Sequence, residues 1–168
     1  MTKKKLAIGS LFEIPAPDGR SGYGQILVPG KLLYVVIFER LYRGGPPPCN
    51  ELTRAALLIG WTMDALIYHG RWKIVGTCPI PSGLPFPNYK LNIGSDIVIT
   101  DYTGKVLRVA RDDEANSLNF RSVVSPIVFQ DSLLAHHGMS NLQMLDKLSV
   151  EQVRRQCIVP CRISGDGK

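Results

Sequence analysis

Five short groups in this 168-residue chain have residue types and spacings that could carry chemistry. Gly22-Tyr23-Gly24-Gln25 sets two glycines around an aromatic, which suggests a phosphate-cradling loop. A dinucleotide fingerprint needs a third glycine and a helix N-terminus directly after it, so that backbone N–H groups point at the phosphate. Here the strand-like Ile26-Leu27-Val28 follows instead. Glycines flanking an aromatic on an early strand then mark a bulge or a close approach of neighbouring chain, with Tyr23 packing over the gap.

The other groups fare no better as reaction centres. His136 and His137 are adjacent, so on a helix they diverge by about 100° and cannot chelate one ion as an i, i+4 pair does. One is expected half-buried, the other wet. No Gly-x-Ser-x-Gly elbow occurs, and His69 has no serine or cysteine partner by motif. Asp112-Asp113-Glu114 lacks the ligand spacing of a calcium loop and reads as a solvated loop. Cys157 and Cys161 stand four apart without the second close pair of a zinc site. These residues indicate no catalytic group, no metal and no cofactor. Gly70-Arg71-Trp72-Lys73 joins cations to an aromatic, a combination that stacks on bases, anchors protein partners, or simply packs Trp72 against a sheet.

Charge bounds the partners. The formal net charge is +6, and it is uneven: residues 1–90 carry eleven Lys and Arg against five Asp and Glu, whereas residues 91–168 carry nine of each. The basic surface therefore belongs to the N-terminal half. Lys3-Lys4-Lys5 is not followed by the uninterrupted apolar stretch of an export signal, because Gly9, Ser10 and Glu13 break it. The longest apolar run, Ala55 to Tyr68, contains Gly60, Thr62 and Asp64 and is too short to cross a bilayer. A cytoplasmic protein with no membrane partner is expected, and its four cysteines, Cys49, Cys78, Cys157 and Cys161, are expected to be reduced thiols.

The elements that would position these groups are mostly strands. Leu11 to Ile14, Tyr23 to Val28 and Leu32 to Phe38 are predicted strands, the first two joined by a proline and Asp-Gly turn. Leu32 to Phe38 is apolar on both faces and reads as central. Gly44-Gly45-Pro46-Pro47-Pro48 reads as a rigid extended loop. Ala55 to Trp61 is a predicted strand, Met63 to Tyr68 a helical turn stopped by Gly70, and Trp72 to Val75 another strand. Four prolines between Pro79 and Pro87 impose irregular or edge structure. Asp96 to Thr100 and Lys105 to Ala110 form a hairpin with Gly104 at its left-handed position. Ser125-Pro126 opens a helix that ends at Gly138, and Ser149 with Gln152 opens a second.

The predicted class is α+β, mostly β: an antiparallel twisted sheet or a small, partly open barrel of about six or seven strands, with one or two C-terminal helices. At 168 residues a single domain is expected, with residues 1–5 and 164–168 flexible.

With these residues laid out, the chain resembles the immunity protein 26 family, antitoxins that accompany polymorphic toxins in bacteria. The likeness is carried by "GSLFEIPAPDGRSGYGQIL" from Gly9, by "GRWKIVGTCPIP" from Gly70 and, less specifically, by "SPIVFQDSLLAHHG" from Ser125, and spans about residues 8–138. Gln130 departs from an acidic residue expected on that last helix. The resemblance implies a mostly β fold, no enzymatic activity, and binding of a cognate toxin, often a nuclease; one-to-one binding is the expectation here. Arg20, Tyr23, Tyr42, Arg43, Arg71 and Trp72 are the candidate toxin contacts by residue type. The alternative from composition is a small basic β-barrel that binds nucleic acid. An inhibitor that mimics nucleic acid is acidic, so a basic one implies a toxin with an acidic docking face, or blockade without phosphate mimicry.

Overall fold

Residues 10–63 form an antiparallel meander of four strands, built where β-branched and aromatic residues cluster. These are β1 (Ser10–Pro15), β2 (Ser21–Val28), β3 (Leu32–Phe38) and β4 (Ala56–Met63). The β1–β2 turn is closed by the Ala16 N–H donating to the Arg20 carbonyl (2.9 Å). Helix α1 (Cys49–Leu52) precedes β4, and α2 (Ala65–Tyr68) crosses from β4 to β5 (Lys73–Thr77). Strand β5 pairs with β1, and a two-residue strand from Val123 and Val124, numbered β9 in chain order, pairs parallel to β4. The sheet order is β5-β1-β2-β3-β4-β9. It is an open, mixed sheet with β5 and β9 as its edges, so the open-sheet expectation holds and the barrel does not.

The computed structural model describes residues 6–159, which fall into two compact units: 6–84 with 123–150, and 85–122 with 151–159. The termini expected to be flexible, 1–5 and 164–168, and Cys161 lie outside the described residues.

In the first unit one sheet face carries Phe12, Ile14, Ile26, Val35, Ile37 and Leu58. Against it packs α4 (Pro126–His136) through Phe129 and Leu133. The opposite face, with Leu11, Tyr23, Gln25, Tyr34, Val36 and Ile59, is buried as well, so β3 is central on both faces.

The two glycines of β2 find their reason here. Gly22 and Gly24 point to the α4 side, two residues apart on one face. A Cβ on Gly24 would lie 2.3 Å from the Phe12 ring and 2.8 Å from Ile37 Cδ1; one on Gly22 would lie 2.4 Å from Leu133 Cδ2. Tyr23 occupies the other face. The motif is a channel in the strand that admits core side chains.

The second unit holds a three-stranded antiparallel sheet of β6 (Tyr89–Ile93), β7 (Asp96–Thr100) and β8 (Val106–Val109). The β7–β8 hairpin turns at Gly104 with φ +98°, as its sequence predicts. Strand β6 was not expected, because its Tyr-Lys-Leu-Asn-Ile content is interrupted by polar residues and follows a proline run. The acidic stretch is a second correction: Asp112–Ser117 is helix α3, and Glu114 is buried. Its carboxylate accepts from Arg108 Nη1 (2.7 Å) and Nη2 (2.6 Å) and from the Arg111 N–H (2.9 Å). Those cationic partners hold its pKa down at about 2, the Arg108 hydrogen bonds contributing most. The last helix, α5, is Val150–Arg155.

The cysteine expectation is corrected too. Cys49 and Cys78 form a disulfide, their Cα atoms 5.7 Å apart. Twenty-nine residues separate them in sequence, and only the fold of α1 near the exit of β5 brings them together.

Candidate functional site

Strand register gathers the arginines of the first unit at one end of its sheet. Pro15 of β1 pairs with Ser21, Phe38 of β3 pairs with Ala56 of β4, and Glu13 of β1 pairs with Lys73 of β5. The near ends of five strands therefore coincide. Arg20 lies in the β1–β2 turn, Arg40, Tyr42 and Arg43 follow β3, Arg54 precedes β4, and Arg71 precedes β5.

Tyr42 is the fixed point of this end. Its backbone exchanges two hydrogen bonds with Ser21, 2.9 Å each, and its ring lies 6.1 Å from that of Tyr23. A concavity of about 250 Å³ beside it is lined by Arg40, Tyr42, Glu51, Leu52 and Arg54. Burial pushes the Tyr42 phenol up and Glu51 adds to that shift, while Arg40 and Arg54 oppose it. Arg20 is tied by Nε to Asp18 at 2.7 Å. The Asp18 carboxyl is held below its ordinary value chiefly by the Arg20 N–H, with Arg43 adding a weaker pull. Arg40, Arg43 and Arg54 make no ion pair among the described residues. Exposed guanidiniums around a half-buried tyrosine make a surface suited to carboxylates, since each can offer two parallel N–H donors.

The candidates from sequence thus divide. Arg20, Tyr42 and Arg43 come together, and Arg71 lies at the same end, exposed. Tyr23 and Trp72 are buried and present no surface. Burial raises the Tyr23 phenol, and the Glu13 charge adds to this. Trp72 stacks on Phe12 with ring centroids 4.8 Å apart, and its indole N–H donates to Gln130 Oε1. Arg40 and Arg54 escaped the sequence reading. A signal existed: they sit just beyond Phe38 and just before Ala55, the adjoining ends of two predicted antiparallel strands.

Two other features adjoin the sheet. A concavity of about 340 Å³ is lined by Ile67, Tyr68, Trp72 and Ile74, with Asp64 and Lys73 as its charged members. At the C-terminus of α4, His137 Nε2 donates to the Glu39 carbonyl (2.7 Å), and His136 Nε2 lies 3.3 Å from the Glu39 carboxylate. The histidine pair thus braces the end of β3. No group of three or more His, Cys, Asp or Glu with metal-binding geometry occurs among the described residues, and none of their helices is long and apolar enough to cross a membrane.

No curated protein and no solved structure matches this chain. The family model described as Immunity protein 26 matches residues 7–94, the stretch that holds β1 to β6 and every arginine of the basic end. The chain belongs to the immunity protein 26 family.

Proposed function

We propose that this protein neutralises a cognate bacterial toxin by binding it one to one in the cytoplasm, without catalysis, and that the basic end around Tyr42 is its docking face. The observation that carries this reading is the set of unpaired Arg40, Arg43 and Arg54 around Tyr42, held on a rigid sheet end within the family-matching residues. Such a surface favours a toxin with an acidic patch, steering its approach and fixing its register. A nuclease toxin would then be blocked by covering its active site or holding it inactive, since a basic inhibitor cannot imitate a phosphate backbone. Co-expression with the adjacent toxin gene tests the reading. Restored growth and co-purification of the two proteins are expected; neither would end it.

The same arginines favour one rival, nucleic-acid binding. That reading loses its stacking platform, because Trp72 is buried in the core. Binding of DNA or RNA that weakens steeply with added salt would restore it.

A further inference from the structure

One wall of the concavity beside Tyr42 hangs on the disulfide. The other wall belongs to the sheet: Arg40 lies between Glu39, whose N–H donates to the Ala55 carbonyl (2.9 Å), and Tyr42, which is bridged to Ser21. The facing wall, Glu51, Leu52 and Arg54, comes from α1 and its exit. The N–H groups of Glu51, Leu52, Thr53 and Arg54 are all spent locally, on the carbonyls of Pro48, Cys49 and Glu51. Two features tie α1 to the body of its unit, the burial of Leu52 and the Cys49–Cys78 bond.

The two cysteines are held unequally. Cys78 is buried, its N–H donates to the Gly9 carbonyl (3.0 Å), and its own carbonyl accepts from Nε2 of the buried Gln25 of β2 (2.6 Å). Cys49 is half-buried and opens a four-residue helix that no side chain caps. Before it stand the stiff Pro46-Pro47-Pro48 and then Gly44 and Gly45, at φ +78° and +104°, each with open space where a Cβ would lie. Opening the bond therefore leaves Cys78 in place and frees the α1 side to swing at the two glycines. Its partial exposure also makes Cys49 the sulfur that a dissolved thiol reaches.

We propose that Cys49–Cys78 is a redox clasp on the docking face: closed, it holds the α1 wall beside Arg40 and Tyr42; opened by a cellular dithiol, it lets that wall loosen and weakens toxin binding. A thiolate of the dithiol attacks Cys49 Sγ, the S–S bond breaks, and Cys78 leaves as a thiolate that takes a proton. The second thiol of the reductant then attacks the mixed disulfide, gives up its proton, closes the reductant's own disulfide and releases Cys49, which is protonated in turn. Two electrons and two protons pass from the dithiol to the cysteine pair. In a reducing compartment a protein disulfide is usually of this transient, sensing kind. A wall already in place binds more tightly than one that must be ordered on binding. The change of affinity rests on the basic end being the docking face; the release of α1 does not.

Hydrogen exchange of the full chain, oxidised and then reduced with dithiothreitol, tests the release without any toxin. On reduction, protection across residues 45–54 is expected to fall at least about tenfold more than across β2 and β3, because the opening is local. Unchanged protection of 45–54, or an equal loss in β2 and β3, would overturn the clasp. So would peptide mapping that finds Cys49 and Cys78 unlinked after oxidation in a glutathione buffer. Calorimetric titration of the cognate toxin domain reads the affinity, which is expected to be at least about tenfold weaker for the reduced chain. Cys49→Ser/Cys78→Ser should reproduce that loss without reductant and be indifferent to it; should this variant not fold, reduction of the unaltered chain gives the same readout. Equal affinity of the oxidised and reduced chains would overturn the gating. A toxin that binds neither form would end the docking reading and the gating with it, while the exchange result still decides the clasp.

Discussion

Trp72 and Gln130, fifty-eight residues apart, are joined by one hydrogen bond of 3.0 Å from the indole Nε1–H to the amide Oε1. This bond ties the entrance of β5 to α4 and gives the buried indole N–H its acceptor. Gln130→Leu should leave the buried N–H without an acceptor and cost about 1–3 kcal/mol, whereas Gln130→Glu, which keeps an acceptor, should cost much less. Urea unfolding of the two variants measures the difference; equal midpoints would mean the bond contributes nothing.

The β2 glycines make a sharper test of packing. Gly24→Ala should destabilise by about 1–3 kcal/mol, because its Cβ would overlap the Phe12 ring and Ile37. Gly76→Ala on β5 is the control. A Cβ there meets nothing within 4 Å, and the substitution should be near neutral. Comparable losses at both positions would refute the channel.

The disulfide closes a loop of 29 residues and, on chain-entropy grounds, stabilises by at most about 3–4 kcal/mol. Denaturation with and without reductant should show a loss of up to that size, absent in the Cys49→Ser/Cys78→Ser variant. In a reducing cytoplasm the bond would be under pressure to open, so thiol trapping in cells reports the compartment directly.

Glu114 predicts a pH signature. Its folded pKa, about 2, lies below its ordinary value of 4.5. The unfolded chain therefore takes up a proton first as pH falls, and the stabilisation present at neutral pH is lost between about 4.5 and 2. Glu114→Gln should be less stable than the unaltered protein at pH 7, and the gap should close in that window. A gap constant down to pH 2 would contradict the ion pairing with Arg108.

Much of this fold was legible before its coordinates. Leu32 to Phe38, apolar at every position, announced the central strand, and Gly104 and Gly138 marked a hairpin and a helix end at positive φ. What escaped was set by distant partners. The helix at Asp112 depends on Arg108 reaching back to Glu114, and the Cys49–Cys78 bond depends on where β5 ends. The site was half legible for the same reason: residue type nominated Trp72 and Tyr42 alike, and only packing separated the buried one from the exposed neighbourhood of the other.

Calorimetric titration of the purified cognate toxin domain with the unaltered protein and with R40E/R54E tests the central claim most directly. The account predicts saturation at one toxin per chain, affinity that falls with salt, and at least a tenfold loss in the variant, whose substitutions are at exposed positions and whose fold circular dichroism verifies. Binding at full strength by the variant would contradict the basic end as the docking face, and no binding by the unaltered protein would contradict toxin neutralisation itself.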